Sequence, residues 1–443
     1  MQIKLSDHFD FKRMLRFTLP SVIMILFTSV YGIVDGFFVS NFVGKTPFAA
    51  VNFIMPVLML LGAIGFMFGS GGSALIAKTL GEGKGEKASL QFSLFVYITI
   101  IIGTLISALT FIFMENIAIL LGAEGQLLED AVLYGRIIVV SLVFLMLQFE
   151  FQSFFITAEK PKLGLYVTII AGIVNIALDF LFIAVFKWGI AGAALATAIS
   201  QFFGGIIPII YFILPNKSLL KLTKFSYDNK AIFKAILNGS SELMTNISLS
   251  VVSMLYNIQL LKYAGENGVA AYGVLMYVNL IFLSVYIGFS TGLIPVIGYH
   301  FGAKNNSELK SILKKSIIVI GVSSVLMVLL SELFAYPLSY IFVGYDKELM
   351  DLTLRGFYIY SFSYLFAGGA IFGSSFFTAL NDGLTSALIS FLRTLLFQVV
   401  AVMIFPIFWG IDGIWTSLIF AEIMAVIMTG LFIILKKNKY HYI

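Results

Sequence analysis

The sequence predicts an all-α polytopic membrane protein in which twelve transmembrane helices form two six-helix lobes. Of its 443 residues, 60% are hydrophobic and only 12% are charged, and the mean hydropathy is +1.00. These values lie far outside the range of soluble domains. Twelve apolar runs are long enough to cross a bilayer, and the two halves of the chain resemble each other.

The twelve runs are separated by short polar or glycine-rich loops. Each has about 20 or more residues, the length that a helix needs to span the hydrocarbon core. Their approximate limits are 15–40, 49–77, 91–113, 131–157, 163–185, 190–214, 235–261, 269–300, 312–334, 354–379, 384–408 and 412–435. The N-terminal 20 residues carry acids among their bases and lead into a run too long for a signal-peptide core, so we expect the first helix to be retained.

Basic residues alternate between the two sets of loops. Most Lys and Arg lie in the N-terminal tail, the C-terminal "KKNKYHYI" and the loops between them on the same side, whereas the opposite loops contain Lys45, Lys187, Lys262 and Lys347. The positive-inside rule therefore predicts that both termini are cytoplasmic, in a multi-pass protein of the cell (plasma or inner) membrane. Because topology explains these charges, the net charge of +5 does not indicate nucleic-acid binding.

Few residues have the chemistry that catalysis needs. There is no cysteine, which excludes disulfides and thiol catalysis. The three histidines are scattered at His8, His300 and His441, without an HExxH motif. The loop "GEGKGEK" lacks both the preceding strand and the GK[ST] ending of a phosphate-binding loop. We therefore expect no cofactor and no enzymatic activity.

An internal repeat relates the two halves at an offset of 221 residues. With this offset, "WGIAGAA" at Trp188 falls on "WGIDGIW" at Trp409, and Gly81, at the end of "LIAKTLG", falls on Gly302. An even number of spans in each half predicts two lobes related by an axis along the membrane normal. The predicted domains are an N-terminal lobe (1–214), a basic cytoplasmic linker (215–234) and a C-terminal lobe (235–443).

Six ionisable residues lie well inside the predicted spans. They are Asp35, Glu150, Asp179, Glu242, Arg393 and Glu422. An Asp or Arg at the middle of a span costs about 2.5–3.5 kcal/mol on insertion scales, so each residue needs a function or a partner. A buried ion pair is the structural alternative, and it is favoured most for Arg393 with Glu422.

Depth in the membrane separates these residues into groups. Asp35, Asp179 and the hydroxyl of Thr197 all lie roughly 10 Å below the outer boundary at 1.5 Å per residue. Asn175 precedes Asp179 by one helical turn and shares its face. These oxygen-bearing side chains predict one cavity in which carboxyl groups take up a proton, or bind an alkali cation such as Na⁺, in competition with a cationic substrate.

The other polar positions are assigned more loosely. Tyr256 is the repeat partner of Asp35, so the outer acid site belongs to the N-terminal lobe alone. Glu242 and Glu422 form a second cation site or contact the substrate. Pro20 removes a backbone hydrogen bond from the first span and is expected to kink it.

The motifs "YGIVDGFFVSNFVG" and "NIALDFLFIAVFKWGIAGAALATAIS", on twelve spans in two repeats, resemble the bacterial multidrug and toxic compound extrusion (MATE) transporters. The resemblance covers the whole chain. It implies an ion-coupling site at Asp35, Asn175, Asp179 and Thr197, and a bend at Pro20. Tyr134 and Gln152 match further polar positions of the family more loosely. An additional polar cavity is predicted from these two residues together with Glu150, Tyr256, Glu242, Arg393 and Glu422. The tenth span has no acid, so the resemblance favours the site of the N-terminal lobe over a C-terminal one.

The predicted function is a secondary antiporter that exports organic, cationic or amphipathic compounds by alternating access, coupled to the influx of H⁺ or Na⁺. Its expected partners are small organic substrates and the lipid bilayer, with no nucleic acid, and we expect a monomer. The alternatives are a lipid-linked oligosaccharide flippase of a related superfamily, a polytopic membrane enzyme and a channel.

Overall fold

The computed structural model describes residues 3–442. Fourteen α-helices are present within this described range. They are α1 (Phe11–Phe38), α2 (Lys45–Gly81), α3 (Gly85–Leu120), α4 (Gly125–Val140), α5 (Leu142–Thr157), α6 (Pro161–Asp179), α7 (Gly189–Ile213), α8 (Asn229–Gly302), α9 (Asn306–Val343), α10 (Lys347–Tyr360), α11 (Tyr364–Ala379), α12 (Gly383–Phe391), α13 (Phe397–Trp409) and α14 (Ile411–Tyr440).

The helices provide the twelve predicted membrane crossings. Over residues 3–442, ten continuous helical segments are long and apolar enough to span a bilayer, and α4 with α5, bent by 56°, makes an eleventh. The 74-residue α8 is interrupted at Gly265, where φ is 61° and ψ is −152°. Glycine tolerates this backbone conformation. The interruption divides α8 into two crossings and brings the total to twelve.

The helices extend beyond the apolar runs because capping residues set their ends. The Asp10 side chain accepts a hydrogen bond from the backbone N–H of Arg13 at 2.7 Å, so α1 begins at Phe11. Asp228 likewise accepts from Ala231 at 3.1 Å, which starts α8 inside the predicted linker. Hydropathy marks only the part of a helix within the hydrocarbon, whereas the caps lie in water.

The helices α1–α7 form the N-lobe and α8–α14 form the C-lobe. Leu5, Phe9 and Tyr442 share one buried cluster, so both ends of the described chain lie on the same face, here called the termini face. Near this face α2 and α8 pack backbone against backbone. A Cβ atom added at Gly71 would overlap the backbone of Ala235 and Gly239. The lobes are therefore closed against each other in this half of the molecule.

An N-terminal strap, residues 3–10, reinforces the closure. The backbone N–H of Leu5 donates to Glu159 Oε1 of the N-lobe at 2.6 Å. The backbone N–H of Phe9 donates to Glu308 Oε1 of the C-lobe at 2.8 Å. Leu5 and Phe9 are both fully buried. The strap thus binds both lobes at the termini face.

Towards the opposite face the lobes separate and leave an interlobe cleft of about 1220 Å³. One wall is the first half of α2, and the other is the part of α8 around its break. The polar lining residues are Asn52, Asn246, Ser250, Ser253, Asn257 and Glu266. The cleft opens away from the termini face because its walls are the ends of these helices that are remote from the strap.

The first helix does not break at its proline. The α-helical backbone of α1 runs from Phe11 to Phe38 with Pro20 inside it. The proline side chain is buried, and neighbouring helices can support the backbone carbonyl that loses its donor. The role of Pro20 in moving α1 stays a prediction.

Candidate ion-coupling site and cavities

The four residues predicted to form one site lie together in the N-lobe, and we call them the acid site. Asp35 extends from α1, Asn175 and Asp179 from α6, and Thr197 from α7. The Thr197 hydroxyl donates to Asp35 Oδ1 at 3.2 Å, and Asn175 Nδ2 donates to Thr197 Oγ1 at 3.4 Å. The carboxyl of Asp179 lies near that of Asp35, but no hydrogen bond joins the two in the described structure.

Irregular helical turns adjoin the site. Asp179 is the last residue of α6 before a π-helical segment, Phe180–Val185, and α1 passes into another at Val39–Val43. A π-helical turn widens the helix and changes the direction of the side chains beyond it, and such turns are frequent at functional sites. Both carboxylates thus stand within one or two turns of a change in helical register.

The acid site carries negative charge without a basic partner. Asp35 is 8% exposed and Asp179 is fully buried. Across residues 3–442, neither aspartate forms an ion pair with Lys, Arg or His, and both oxygens of Asp179 lack a hydrogen-bond donor. Two ionised carboxylates so close together repel each other, so a proton or a small cation stabilises the site.

Three further polar residues adjoin the acid site. Tyr134, which the sequence predicted loosely, is fully buried, and its hydroxyl lies near Thr197. Tyr31 lies between Asp35 and Gln148, and neither Tyr31 nor Gln148 was predicted. Since Tyr31 precedes Asp35 by four residues, helical spacing was a sufficient signal for it.

The structure places the remaining predicted polar residues in separate regions, and only Tyr256, Arg393 and Glu422 among them line one cavity. Gln152 forms no hydrogen bond with the acid site within the described chain, and its amide nitrogen lacks an acceptor. The backbone of Glu150 packs against Gly69 of α2, and its side chain lies near Thr99 of α3. Residues two apart on a helix point to different sides, so Glu150 diverges from Gln148.

Glu242 lies alone on the wall between the lobes. It sits one turn from Gly239, at the closed contact, and one turn from Asn246, which lines the cleft. Its side chain is partly buried, and no hydrogen bond or ion pair to it is present among residues 3–442. Glu242 therefore lies one helical turn beyond the lining residues of the interlobe cleft, towards the closed contact.

Arg393 and Glu422 form the ion pair that was favoured for them. Arg393 Nε donates to both carboxylate oxygens, at 3.0 and 2.9 Å, and Nη2 lies 2.8 Å from Oε1. They line a cavity of about 240 Å³ together with Tyr256, and all its lining residues belong to the C-lobe except Ile25 and Ser29 of α1. We call this the C-lobe cavity.

The donor set of the acid site suits a proton or a hard cation such as Na⁺. Carboxylate, amide and hydroxyl oxygens are hard ligands. Among the residues that the structure describes, no three His, Asp or Glu side chains are grouped as metal ligands.

A sequence model of one family, MatE, matches the chain twice, at residues 20–181 and 243–404. The chain belongs to the MatE family. Each matched range covers most of one lobe, which agrees with the internal repeat. The first contains Asp35, Asn175 and Asp179, and the second contains Arg393.

Related sequences and similar solved structures agree with this family assignment. Multidrug export protein MepA of Staphylococcus haemolyticus is 29% identical over 70% of this chain and 69% of its own length. MepA of Staphylococcus saprophyticus is 25% identical over 97% of this chain and 94% of its own length. A structure described as the outward-facing conformation of a multidrug resistance MATE family transporter superposes with a TM-score of 0.92 at 22% identity, covering 98% of both chains.

Membership of the MatE family confirms the resemblance drawn from the two motifs. The protein is a multi-pass membrane transporter of small molecules and not an enzyme. The comparisons give no support to the flippase alternative.

Proposed function

We propose that this MatE protein exports organic cations in exchange for H⁺ or Na⁺, with the acid site as the coupling site. The observation that carries the proposal is the grouping of Asp35 and Asp179 from two helices, buried and without a basic partner. A site with uncompensated negative charge binds a cation of either kind and releases it only when another replaces it.

The lining of the interlobe cleft supports the proposal that the substrate is cationic. Its one charged lining residue within the described chain is Glu266, and no Lys or Arg lines it. A cleft of one charge sign concentrates ligands of the opposite sign. Met55, Met59 and Met254 supply flexible apolar surface, which accommodates ligands of different shapes.

Exchange follows from competition for negative charge. An inward-moving ion that neutralises Asp35 and Asp179 removes the attraction for the organic cation. The two binding events are then linked by a coupling free energy. The lobes, closed at the termini face and open at the other, are in one of the two states that alternating access requires.

The direction of export rests on the distribution of basic residues. The loops of the termini face contain most of the Lys and Arg, which supports a cytoplasmic location for that face. The cleft then opens outward. The acid site, the cleft and the C-lobe cavity all lie within one chain, which supports function as a monomer in the cell membrane. The naming of related proteins as multidrug exporters supports a broad range of substrates.

The test uses proteoliposomes containing a fluorescent organic cation, with a proton gradient or a sodium gradient imposed separately. We expect one gradient to drive exchange by the wild type, and Asp35→Asn to lower the initial rate by at least about tenfold. Asp351→Asn is the matched control, because Asp351 is an exposed acid remote from the cleft.

Each result has a definite meaning. Exchange under one gradient only identifies the coupling ion. Undiminished exchange by Asp35→Asn under both gradients contradicts the proposed role of the acid site, and so does an equal loss in Asp351→Asn.

A further inference from the structure

The C-lobe cavity differs from the acid site in its charge. Arg393 and Glu422 are its charged lining residues within the described chain, and they pair with each other. Its net charge is therefore zero. Glu422 is 2% exposed, and Asp35, Asp179 and Glu242 do not line the cavity.

Electroneutrality restricts what this cavity can hold. A ligand with a net charge leaves that charge uncompensated at low dielectric, which costs several kcal/mol. A ligand with one positive and one negative group adds no net charge. It can align its dipole against the Arg393–Glu422 pair, with its anion towards the guanidinium and its cation towards the carboxylate.

Several buried polar atoms at the cavity lack partners. The Tyr256 hydroxyl, Asn279 Oδ1 and the Ser363 hydroxyl have no hydrogen bond in the described structure, and these residues are 1%, 7% and 1% exposed. Buried polar groups are normally satisfied. Three such atoms at one cavity indicate a polar ligand that completes them.

The cavity also has an aromatic wall of limited size. The rings of Tyr256 and Tyr272 stack with centroids 5.1 Å apart and planes 8° apart. Together they present an aromatic surface to a planar ring. The volume of about 240 Å³ is below the ~300–1,000 Å³ of most ligand pockets, so it suits a molecule with a single ring.

A route connects the C-lobe cavity with the interlobe cleft. Leu249 and Ser253 of α8 line both spaces. A small molecule in the cleft therefore meets the cavity across a single wall of side chains, whose rotation is sufficient to admit it. Arg393 lies in a π-helical turn, Leu392–Leu396, as functional residues often do.

We propose that the C-lobe cavity is a second binding site, selective for small aromatic zwitterions of zero net charge. The amino group of the ligand binds Glu422, its carboxylate binds Arg393 and the Tyr256 hydroxyl, and its ring packs on the paired tyrosines. The site does not depend on the coupling role proposed for Asp35.

The test is calorimetric titration of the full-length protein in nanodiscs with three matched probes. The zwitterion phenylglycine carries both charges on one carbon atom, benzylamine lacks the carboxylate, and phenylacetate lacks the amine. We expect the zwitterion to bind at least about tenfold more tightly than either single-charge probe. Tyr256→Phe should weaken zwitterion binding several-fold, and the neutral double variant Arg393→Gln/Glu422→Gln should remove the preference.

Controls separate this site from the coupling site. Asp35→Asn and Asp351→Asn should bind the zwitterion as the wild type does. Benzylamine binding as tight as that of the zwitterion would overturn the proposal. Wild-type affinity in both Tyr256→Phe and the double variant would also overturn it, and Tyr256→Phe keeps the ion pair that stabilises the fold.

Discussion

The two lobes of this transporter are repeats of one unit, but the buried acids of the N-lobe have no basic partner, whereas the buried acid of the C-lobe has one. In the N-lobe, Asp35 and Asp179 face each other without a basic residue. In the C-lobe, Glu422 is bound by a guanidinium through three contacts of 2.8–3.0 Å. Tyr256 occupies the repeat position of Asp35. One duplicated fold therefore contains a charged site and a neutral one.

The comparison teaches that burial alone does not make an acid useful for coupling. An acid that already has a fixed cation cannot exchange it for a mobile one without leaving an unpaired charge at low dielectric. Asp35 has no fixed cation, so ions and substrates can compete for it. The coupling chemistry that we propose therefore belongs to the N-lobe, whereas the C-lobe contains a fixed ion pair.

The largest effect that sharpens this contrast concerns stability. Glu422→Gln leaves Arg393 buried and unpaired, so we expect it to lower the free energy of unfolding by about 3–5 kcal/mol. Asp35→Asn removes an unpaired charge, so we expect no loss of stability. Thermal unfolding in detergent measures both.

The double variant Arg393→Gln/Glu422→Gln provides the control. It should recover most of the lost stability, because no charge is left unpaired. If Glu422→Gln were as stable as the wild type, the C-lobe pair would not differ from the N-lobe acids as described.

The next effect tests whether the N-lobe acids act as one unit. Asp179→Asn should lower gradient-driven exchange by at least about tenfold, as Asp35→Asn does, and the double variant should be no slower than either single one. Lys45→Ala, at the first residue of α2 on the opposite face, should exchange at the wild-type rate. Multiplicative losses in the double variant would show two independent sites.

The sequence was sufficient to predict the membrane-spanning helices because hydropathy alone determines where they lie. Hydropathy over a bilayer's thickness fixes where helices cross, and even the continuous α8 was correctly divided near Gly265 by its polar "KYAGENG". Helix ends were less accurate. The N-terminal strap was not predicted at all, because its burial depends on Glu159 and Glu308, which are distant in sequence.

The acid site was predictable because the number of residues between a side chain and the end of its span gives the depth of that side chain in the membrane. Asp35, Asp179 and Thr197 lie at one depth, and the structure brings them together. Depth does not specify which way a residue faces. Glu150 and Gln152 were therefore grouped with residues that they do not meet, and Tyr31 was missed. The separation of the C-lobe cavity depends on how α8, α11 and α14 pack, which a single sequence does not specify.

A smaller effect concerns the hydroxyl that orients the coupling acid. Thr197→Val keeps the shape of the side chain but removes the donor to Asp35 Oδ1, a bond of 3.2 Å. Hydrogen bonds to charged groups contribute about 1.5–3 kcal/mol, so the ion concentration for half-maximal exchange should change roughly tenfold. It should rise if the coupling ion is Na⁺, which loses an oxygen ligand, and fall if it is H⁺, because the ionised carboxylate loses a donor that stabilises it. Thr416→Val, whose hydroxyl bonds to the Asp412 carbonyl at 2.9 Å in the C-lobe, should leave this concentration unchanged.

The smallest effect compares the loops of the two lobes at the termini face. Burial alone would raise the pKa of Asp382, but hydrogen bonds from Tyr440, Thr385 and Lys436 outweigh it, so the pKa is lowered. Tyr440 donates at 2.7 Å. In the N-lobe loop, burial raises the pKa of Glu159. The ionised form therefore stabilises the fold at Asp382 and destabilises it at Glu159.

These opposite signs predict opposite pH dependence. Stability from Asp382 is present above the unfolded-state pKa and is lost as the pH falls through the lower folded-state value. Asp382→Asn should thus cost about 1 kcal/mol near neutral pH, and the difference from wild type should vanish in acid. Glu159→Gln should be neutral or slightly stabilising near neutral pH. Chemical unfolding at several pH values measures both, and a loss of stability in Glu159→Gln equal to that in Asp382→Asn would contradict the assignment, because the two loops would then hold their acids alike.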